Sequence, residues 1–305
     1  MSVKSFIPKV WASALDVPFQ KALVYADPTI ASTEFQPLLQ NSGDSVEIND
    51  IGSATIKEHD RTQDLEYDDL DTTSKSLVID QEDYYGFRVN DVDKLQAAGD
   101  FQSAATEQHA IGMADKVDTY LAAELRANAG TKIGTLDVFN GQDFYRPGTD
   151  QKTAWDVIRR IVKELNKVSA PSLNRWAVVG PDFADALLGD RRVTEVDKAG
   201  TDSVVRSGLI AQIPHLGISI KTSNNVPTVA GREVVTAGVP GALQFASQLR
   251  TLEAFRDPNR FGDIVRGLQV YGAKVVRPKG VVSVETNVGD GVLGGSAGGG
   301  AEGNA

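Results

Sequence analysis

Residues 52–75 form a long, strongly polar and acidic stretch with strand-like segments on both sides. Apolar residues alternate at Val46 and Ile48 before it, and at Leu77 and Ile79 after it, which is the two-residue period of a β-strand. Two strands flanking a charged excursion predict a projecting β-hairpin. Such a hairpin has no core of its own, so it needs surface from elsewhere to be stable. The sequence therefore predicts a projection that one isolated domain cannot bury.

The acidic stretch also dominates the charge of the chain. Residues 44–93 contain fifteen acidic and four basic side chains, a local charge of −11 within a total of −10. Residues 250–279 show the opposite bias, with seven basic and three acidic side chains. Two interpretations stay open: an acidic solvated face with an unrelated basic one, or two surfaces that meet across a subunit boundary.

Composition excludes several classes of protein. A length of 305 residues with 41% hydrophobic residues suffices for a sizeable core, and the absence of cysteine removes disulfides and thiolate metal sites. No stretch approaches the roughly 20 apolar residues that span a bilayer, and the first fifteen residues lack the apolar run of a signal peptide. We expect a soluble, unprocessed protein that is made inside the cell and has no membrane partner.

The N-terminal 45 residues are interrupted by four prolines, which prevent long helices and central strands. This segment is predicted to be an extended arm that packs on another surface. Trp11 and Phe19 support packing over a disordered leader, because aromatic residues are scarce in solvated tails.

The rest of the chain mixes helical and strand-like patterns without a regular βαβ alternation, which predicts an α+β fold. Helices are expected near residues 93–129, 155–168 and 183–188, and the segment 130–148 reads as a turn-rich connection. Strands are expected at 176–179, 218–222, 234–236, 264–277 and 281–285. Glycines 267 and 272 suggest bends or bulges in the long strand.

Catalytic signatures are nearly absent. His59, His109 and His215 lie in unrelated contexts without metal-ligand spacing, and neither a nucleophile elbow nor a phosphate loop occurs. The acidic run near residues 66–71 lacks the glycine of a calcium loop and is interpreted as a solvated rim. The sequence predicts neither an enzyme nor a bound cofactor or metal. An acidic pI near 4.9 also opposes tight binding to nucleic acid.

Two C-terminal segments carry a specific resemblance. RDPNRFGDIVRGLQVYGAKVVRPKGVV (residues 256–282) and HLGISIKTSNNVP (residues 215–227) resemble the major capsid proteins of tailed bacteriophages, which have the Hong Kong 97-type fold. The order of the other elements agrees over about residues 1–288. The resemblance implies an N-arm (1–42), an extended loop (43–90), a peripheral domain with a spine helix (91–184), an axial domain (185–250), a return to the peripheral domain (251–288) and a flexible tail (289–305).

The function implied by this resemblance is structural. The chain would self-assemble as pentamers and hexamers into the icosahedral shell of a virion, formed in the bacterial cytoplasm around double-stranded DNA that it contacts weakly. Its further partners would be a separate scaffolding protein, the portal and decoration proteins. The shell of a bacterial nanocompartment, which has the same fold, is the alternative; a soluble hydrolase is a more remote one.

The charge pattern suggests which residues would join neighbouring subunits in such a shell. We expect the acidic loop to approach basic strands of the next subunit, and the arm to contribute its aromatic residues. The candidate contact residues are Glu66, Asp68, Asp69, Asp71, Arg256, Arg260, Arg266, Trp11 and Phe19.

Overall fold

The computed structural model describes residues 23–38, 45–51, 72–90, 101–140, 152–190, 209–213, 216–258 and 260–290. Its internal contacts divide the chain into two compact units. The first unit consists of Met1–Glu124 and Gly241–Arg277, and the second of Leu125–Pro240 and Pro278–Ala305. Each unit contains a sheet and helical segments, so the predicted α+β class is confirmed.

The described residues form three α-helices: α1 (Phe101–Ala127), α2 (Ala154–Lys167) and α3 (Pro181–Leu188). The strands, in chain order, are β1 (Ala31–Ser32), β2 (Ser45–Ile51), β3 (Thr72–Val78), β4 (Gln81–Asn90), β5 (Thr131–Asn140), β6 (Lys152–Thr153), β7 (Arg175–Val179), β8 (Leu209–Ile213), β9 (Ile218–Thr222), β10 (Thr228–Val229), β11 (Arg232–Gly238), β12 (Leu243–Arg256), β13 (Gly262–Val275) and β14 (Val281–Asp290). Short 3-10 turns lie at Gln36–Leu38 and Pro278–Gly280.

The first unit is built on a four-stranded sheet in the order β1-β12-β13-β4. Strands β12 and β13 form a long antiparallel hairpin, and β4 runs antiparallel to β13 from Gln81 to Asn90. Strand β1 adds a short parallel pairing at the other edge. Helix α1 buries Met113, Val117 and Leu121, which recur at the spacing of one helical face. It confirms the predicted long helix between residues 101 and 127; residues 91–100 lie outside the described part of the chain.

The predicted hairpin is present at its base. Strands β2 and β3 pair antiparallel from Ser45 opposite Val78 to Ile51 opposite Thr72, so the chain leaves and returns at adjacent positions. The acidic excursion between them, residues 52–71, lies outside the described residues. Leu77 of β3, and Ile79 just after this strand, pack with Ala246 and Val270 of the first sheet. We call this packed part, residues 45–51 and 72–79, the loop root.

The second unit contains an eight-stranded sheet in the order β6-β5-β14-β11-β7-β9-β8, with β10 paired to β11. Helices α2 and α3 bury Ile158, Ile161, Leu165 and Phe183 in one hydrophobic cluster with the strands. Both helices and the strands β7 and β9 were predicted from the sequence. The sheet places β5 between β6 and β14, and β7 between β11 and β9, within one unit. The predicted domain boundaries concern positions in an assembled shell and stay predictions.

Six strands were not predicted: the long strands β5 and β12, and the shorter β1, β6, β8 and β10. Residues 130–148 were interpreted as a turn-rich connection, but Thr131–Asn140 is a strand, so that interpretation is wrong for these ten residues. Its partner is β14, about 150 residues later in the chain, and local patterns do not reveal so distant a pairing. Strand β12 was missed because a register shift between Leu249 and Thr251 interrupts its alternation.

Candidate assembly surface

The two faces of the first sheet have different neighbours. One face packs against α1, where the ring of His109 stacks on Phe87 at 4.9 Å between centroids and lies 5.5 Å from the ring of Tyr85. Tyr120 meets Tyr271 edge-on at 5.3 Å. His109 is therefore a packed histidine; His59 and His215 lie outside the described residues.

A polar cluster reinforces the packing of α1 on the sheet. Asp83 of β4 accepts hydrogen bonds from Lys116 of α1 and, at 2.6 Å, from the hydroxyl of Tyr271 in β13. Burial alone would raise the pKa of Asp83, but the hydrogen bonds from Lys116 and Tyr271 outweigh it and lower the pKa. Burial, followed by the charges of Asp80 and Glu124, raises the pKa of Tyr120 to about 12. This cluster fixes the sheet on its helix and leaves the opposite face for other contacts.

The opposite face is covered at one end by the loop root. A side chain at Gly272 would place its Cβ 2.0 Å from the carbonyl oxygen of Val78 and 2.9 Å from the Cα of Ile79. Backbone therefore lies directly on backbone at this crossing, which only glycine permits. The amino group of Lys75 also donates a hydrogen bond to the carbonyl of Val276. The projection is thus firmly attached where it leaves the sheet.

Beyond the loop root the same face is exposed. We call the side chains of β4, β12 and β13 that point away from α1 in this part the open face. Two large apolar side chains are exposed here: Tyr84 is 82% exposed, and Phe255 is exposed to a smaller extent. A groove of about 280 Å³ lies beside Tyr84 and is lined by Glu253, Arg266, Gly267 and Leu268 as well. The residues of the open face are Tyr84, Glu253, Phe255, Ile264, Arg266 and Leu268.

Two of the predicted arginines lie on these strands and already form ion pairs within their own chain. Arg266 contacts Glu253 at 2.5 Å and lies 5.0 Å from the ring centroid of Phe255. Arg256 contacts Asp263 at 3.4 Å. The side chains of both arginines are more than half exposed, so each pair contributes little to stability and can exchange partners.

The third predicted arginine lies at the tip of the β12–β13 hairpin. The tip is held by a hydrogen bond from the amide of Asp257 to the carbonyl of Gly262 at 3.0 Å, and by an ion pair of 2.7 Å between Arg88 and the buried Asp257 carboxylate. Arg260 is exposed, and the neighbouring Phe261 is 85% exposed. A tip that is held by these two contacts and presents an exposed phenyl ring is suited to contact another molecule.

The remaining predicted contact residues, Trp11, Phe19, Glu66, Asp68, Asp69 and Asp71, lie outside the described residues. Tyr84, Phe255 and Phe261 were not predicted from the sequence. A signal existed for Tyr84, because it is followed by Tyr85. Adjacent residues of a strand point to opposite faces of the sheet, so the two rings cannot be buried on the same face. Within the described residues there is no group of His, Asp and Glu that could hold a metal ion. None of the described helices has the length and apolar character to cross a membrane.

Comparisons with known proteins agree with this architecture. The sequence model of the family described as phage capsid protein matches residues 75–284. A solved structure from Mycobacterium phage Che8 shares 31% sequence identity with a TM-score of 0.73, covering 93% of this chain and 98% of that one. No curated protein sequence matches the chain.

More distant structures share the fold. The capsid structure of the Cyanophage P-SCSP1u has 17% identity and a TM-score of 0.70, covering 95% of both chains. The capsid of Ralstonia phage GP4 has 15% identity and a TM-score of 0.62, covering 95% of this chain and 99% of that one. The phage capsid fold expected from the sequence is therefore confirmed. The chain belongs to the phage capsid protein family and is a structural protein of a phage shell.

Proposed function

We propose that copies of this chain build the icosahedral head of a virion around double-stranded DNA, and that the acidic loop of each subunit lies on the open face of a neighbour. The observation that carries this proposal is that one face of the first sheet is only partly covered within the subunit. The loop root covers one end of that face, while large apolar side chains remain exposed on the rest. A second copy can supply the missing cover.

Charge supports the same arrangement. The loop belongs to the segment of charge −11 (residues 44–93), whereas two of the three strands that bear the open face, β12 and β13, lie largely in residues 250–279, which contain seven basic and three acidic side chains. The exposed Arg266 on this face can exchange its intrachain partner Glu253 for loop carboxylates of the neighbour. A projecting hairpin becomes ordered only where burial and strand pairing offset its entropy cost.

We infer the roles of the other segments from the resemblance to phage major capsid proteins. Residues 1–42 act as the arm, residues 91–184 and 251–288 as the peripheral domain, and residues 185–250 as the axial domain around five-fold and quasi-six-fold axes. A separate scaffolding protein sets the curvature during assembly in the bacterial cytoplasm. The portal and decoration proteins join the finished shell, and packaged DNA is held weakly because the protein is acidic.

Charge reversal in the loop tests the contact. Asp68→Lys with Asp69→Lys is expected to reduce the yield of closed shells, most strongly at low salt where charges are least screened. Adding Arg266→Glu to that variant should restore part of the yield, since it re-creates an opposite-charge contact. The control is Asp137→Lys with Asp185→Lys, which changes the net charge equally at exposed positions of the second unit.

Electron microscopy and sedimentation measure the yield. Unchanged shell formation by the loop variant at every salt concentration would remove the proposed contact. Particles from the native host that enclose an enzyme and no DNA would favour the nanocompartment alternative over a phage head.

A further inference from the structure

A buried carboxylate in the middle of α1 binds the N-terminal segment. Asp118 is fully buried, and its Oδ1 accepts hydrogen bonds from the backbone amides of Val24, Tyr25 and Ala26 at 3.1, 2.7 and 3.2 Å. Three successive amides that converge on one oxygen form an anion-binding concavity, here filled by the protein's own side chain. Hydrogen bonds to an ionised acceptor are among the stronger ones in proteins.

The same segment is attached at two further points. Ala31 and Ser32 pair with Leu243 and Gln244 through β1, and the side-chain amide of Gln36 donates to the carbonyl of Ser247 at 2.8 Å. Three side chains of the segment, those of Tyr25, Ile30 and Ala31, are also fully buried, while Pro28 and Thr29 are exposed. This part of the predicted arm therefore packs on the body of its own subunit.

The contact with Asp118 differs from the other two in its energetics. If the segment leaves, three amides lose a charged acceptor and the carboxylate loses three donors in a buried position, which costs more than the loss of a neutral pair. Residues 24–26 are therefore expected to be either bound to Asp118 through all three amides or released from it. It also depends on a single side chain, which makes it open to a direct test.

We propose that Asp118 is the anchor that fixes where the N-terminal segment joins its subunit, and that this anchor is needed for shells of uniform size but not for the fold of the subunit. Asp118 acts as a positioning residue. It holds residues 24–26 on α1, so that the N-terminal segment joins its subunit at the same place in every copy. The part of the proposal that concerns shells rests on the proposed function; the part that concerns attachment does not.

Hydrogen exchange of the full-length subunit tests the attachment. In Asp118→Ala the amides of residues 24–26 should exchange at least about tenfold faster, while the β12–β13 hairpin keeps its protection. Asp118→Asn, which keeps an acceptor but loses the charge, should give a smaller increase. Asp115→Asn, the same chemical change one turn earlier on α1, should leave these amides unchanged.

Assembly supplies the second readout. Asp118→Ala should give a broader size distribution of particles by electron microscopy, and Asp115→Asn the native distribution. Unchanged exchange of residues 24–26 in Asp118→Ala, or native shells despite their rapid exchange, would overturn the proposal.

A second variant decides the question if Asp118→Ala does not fold. Ala26→Pro removes one of the three donors and leaves α1 intact, and the side chain of Ala26 is exposed. Faster exchange at residues 24 and 25 with heterogeneous shells is expected; native behaviour would contradict the anchor. If the unaltered chain itself forms no shells, the proposed function fails while exchange still tests the attachment.

Discussion

Two glycines of β13 determine what can lie on each face of the first sheet. The Cβ of a residue at Gly267 would come within 2.4 Å of the Tyr85 ring on the side of α1, and one at Gly272 would meet the backbone of the loop root on the other side. The sequence suggested bends or bulges at both positions. The ladder is regular there, and the register shift lies in β12 between Leu249 and Thr251, so the bulge prediction is wrong. Close approach of neighbours, not strand irregularity, requires these glycines.

Gly272→Ala is expected to destabilise the subunit by about 1–3 kcal/mol, because the new methyl group meets backbone atoms that cannot rotate away. The matched control is Gly112→Ala in α1, where a Cβ meets nothing within 4 Å. Helix propensity predicts that the control stabilises the protein by up to about 1 kcal/mol. Urea unfolding of unassembled subunits measures both, and equal effects of the two changes would contradict this account.

Asp83 makes the stability of the first unit depend on pH. Its pKa is lowered in the folded protein, since the hydrogen bonds from Lys116 and Tyr271 outweigh burial, so its contribution to stability is present above the unfolded pKa. That contribution is lost as the pH falls through the lowered folded pKa. Asp83→Asn should therefore reduce stability at pH 7 and flatten the loss of stability on acidification below pH 4, roughly the pKa of a free aspartate. Thermal melts from pH 2.5 to pH 7 test this; parallel pH profiles for both proteins would exclude the role given to Asp83.

Helix α2 shows how an element begins and ends at defined residues. It starts with a capping box in which the Thr153 hydroxyl accepts from the amide of Asp156 at 3.3 Å, and the Asp156 carboxylate accepts from Thr153. Its last turn is held by the buried Arg175, which donates to Asn166 and to the carbonyls of Ala170 and Pro171. The sequence predicted the helix from its apolar spacing. It could not predict the role of Arg175, which depends on the return of the chain after the helix.

Removing the cap of α2 should cost a measurable amount of stability. Thr153→Ala is expected to destabilise the subunit by about 1 kcal/mol, since one amide of the first turn loses its acceptor. Thr153→Ser keeps the hydroxyl and serves as the control, with most of the stability retained. A loss of equal size in both variants would show that packing of the threonine methyl group matters more than the hydrogen bond.

Local patterns identified the elements that carry their own signal and missed those defined by distant partners. Helices α1 and α2 and strand β9 have regular apolar spacing and were predicted close to their observed bounds. Strand β5 is held by parallel pairing with β14, and such a partner is not visible in a short window. Strand β12 was missed for a different reason: its register shift changes the sheet face to which the following side chains point, so the alternation of apolar residues is interrupted.

The distribution of charge along the chain identified the acidic and the basic side of the expected contact between subunits, but not its apolar residues. The acidic loop and the basic strands are evident from counting. The exposure of Tyr84 and Phe261 depends on which sheet face is covered and on where a hairpin turns, and neither follows from composition. Arg266 lies on the strand predicted for it, whereas Arg256 lies on the missed strand β12, and the pairing of the two arginines with Glu253 and Asp263 required the register of β12 and β13.

Phe261 is expected to matter for assembly and not for folding. Since its ring is 85% exposed at the hairpin tip, Phe261→Ser should change the unfolding free energy of the subunit by no more than about 0.5 kcal/mol. The yield of shells should nevertheless fall, because the exposed phenyl ring at the hairpin tip would become buried when it contacts another copy of the chain. Urea unfolding and sedimentation together check this, and a native yield of shells would show that the tip makes no essential contact.

A cryo-electron microscopy reconstruction of the particles that this chain forms would show whether the loop of one subunit lies on the open face of another. We expect closed shells in which density for residues 52–71 continues from the β2–β3 hairpin of one subunit across Tyr84 and Arg266 of its neighbour. A protein that remains monomeric under all assembly conditions, or a shell in which that face stays bare and the loop folds back on its own subunit, would contradict this expectation.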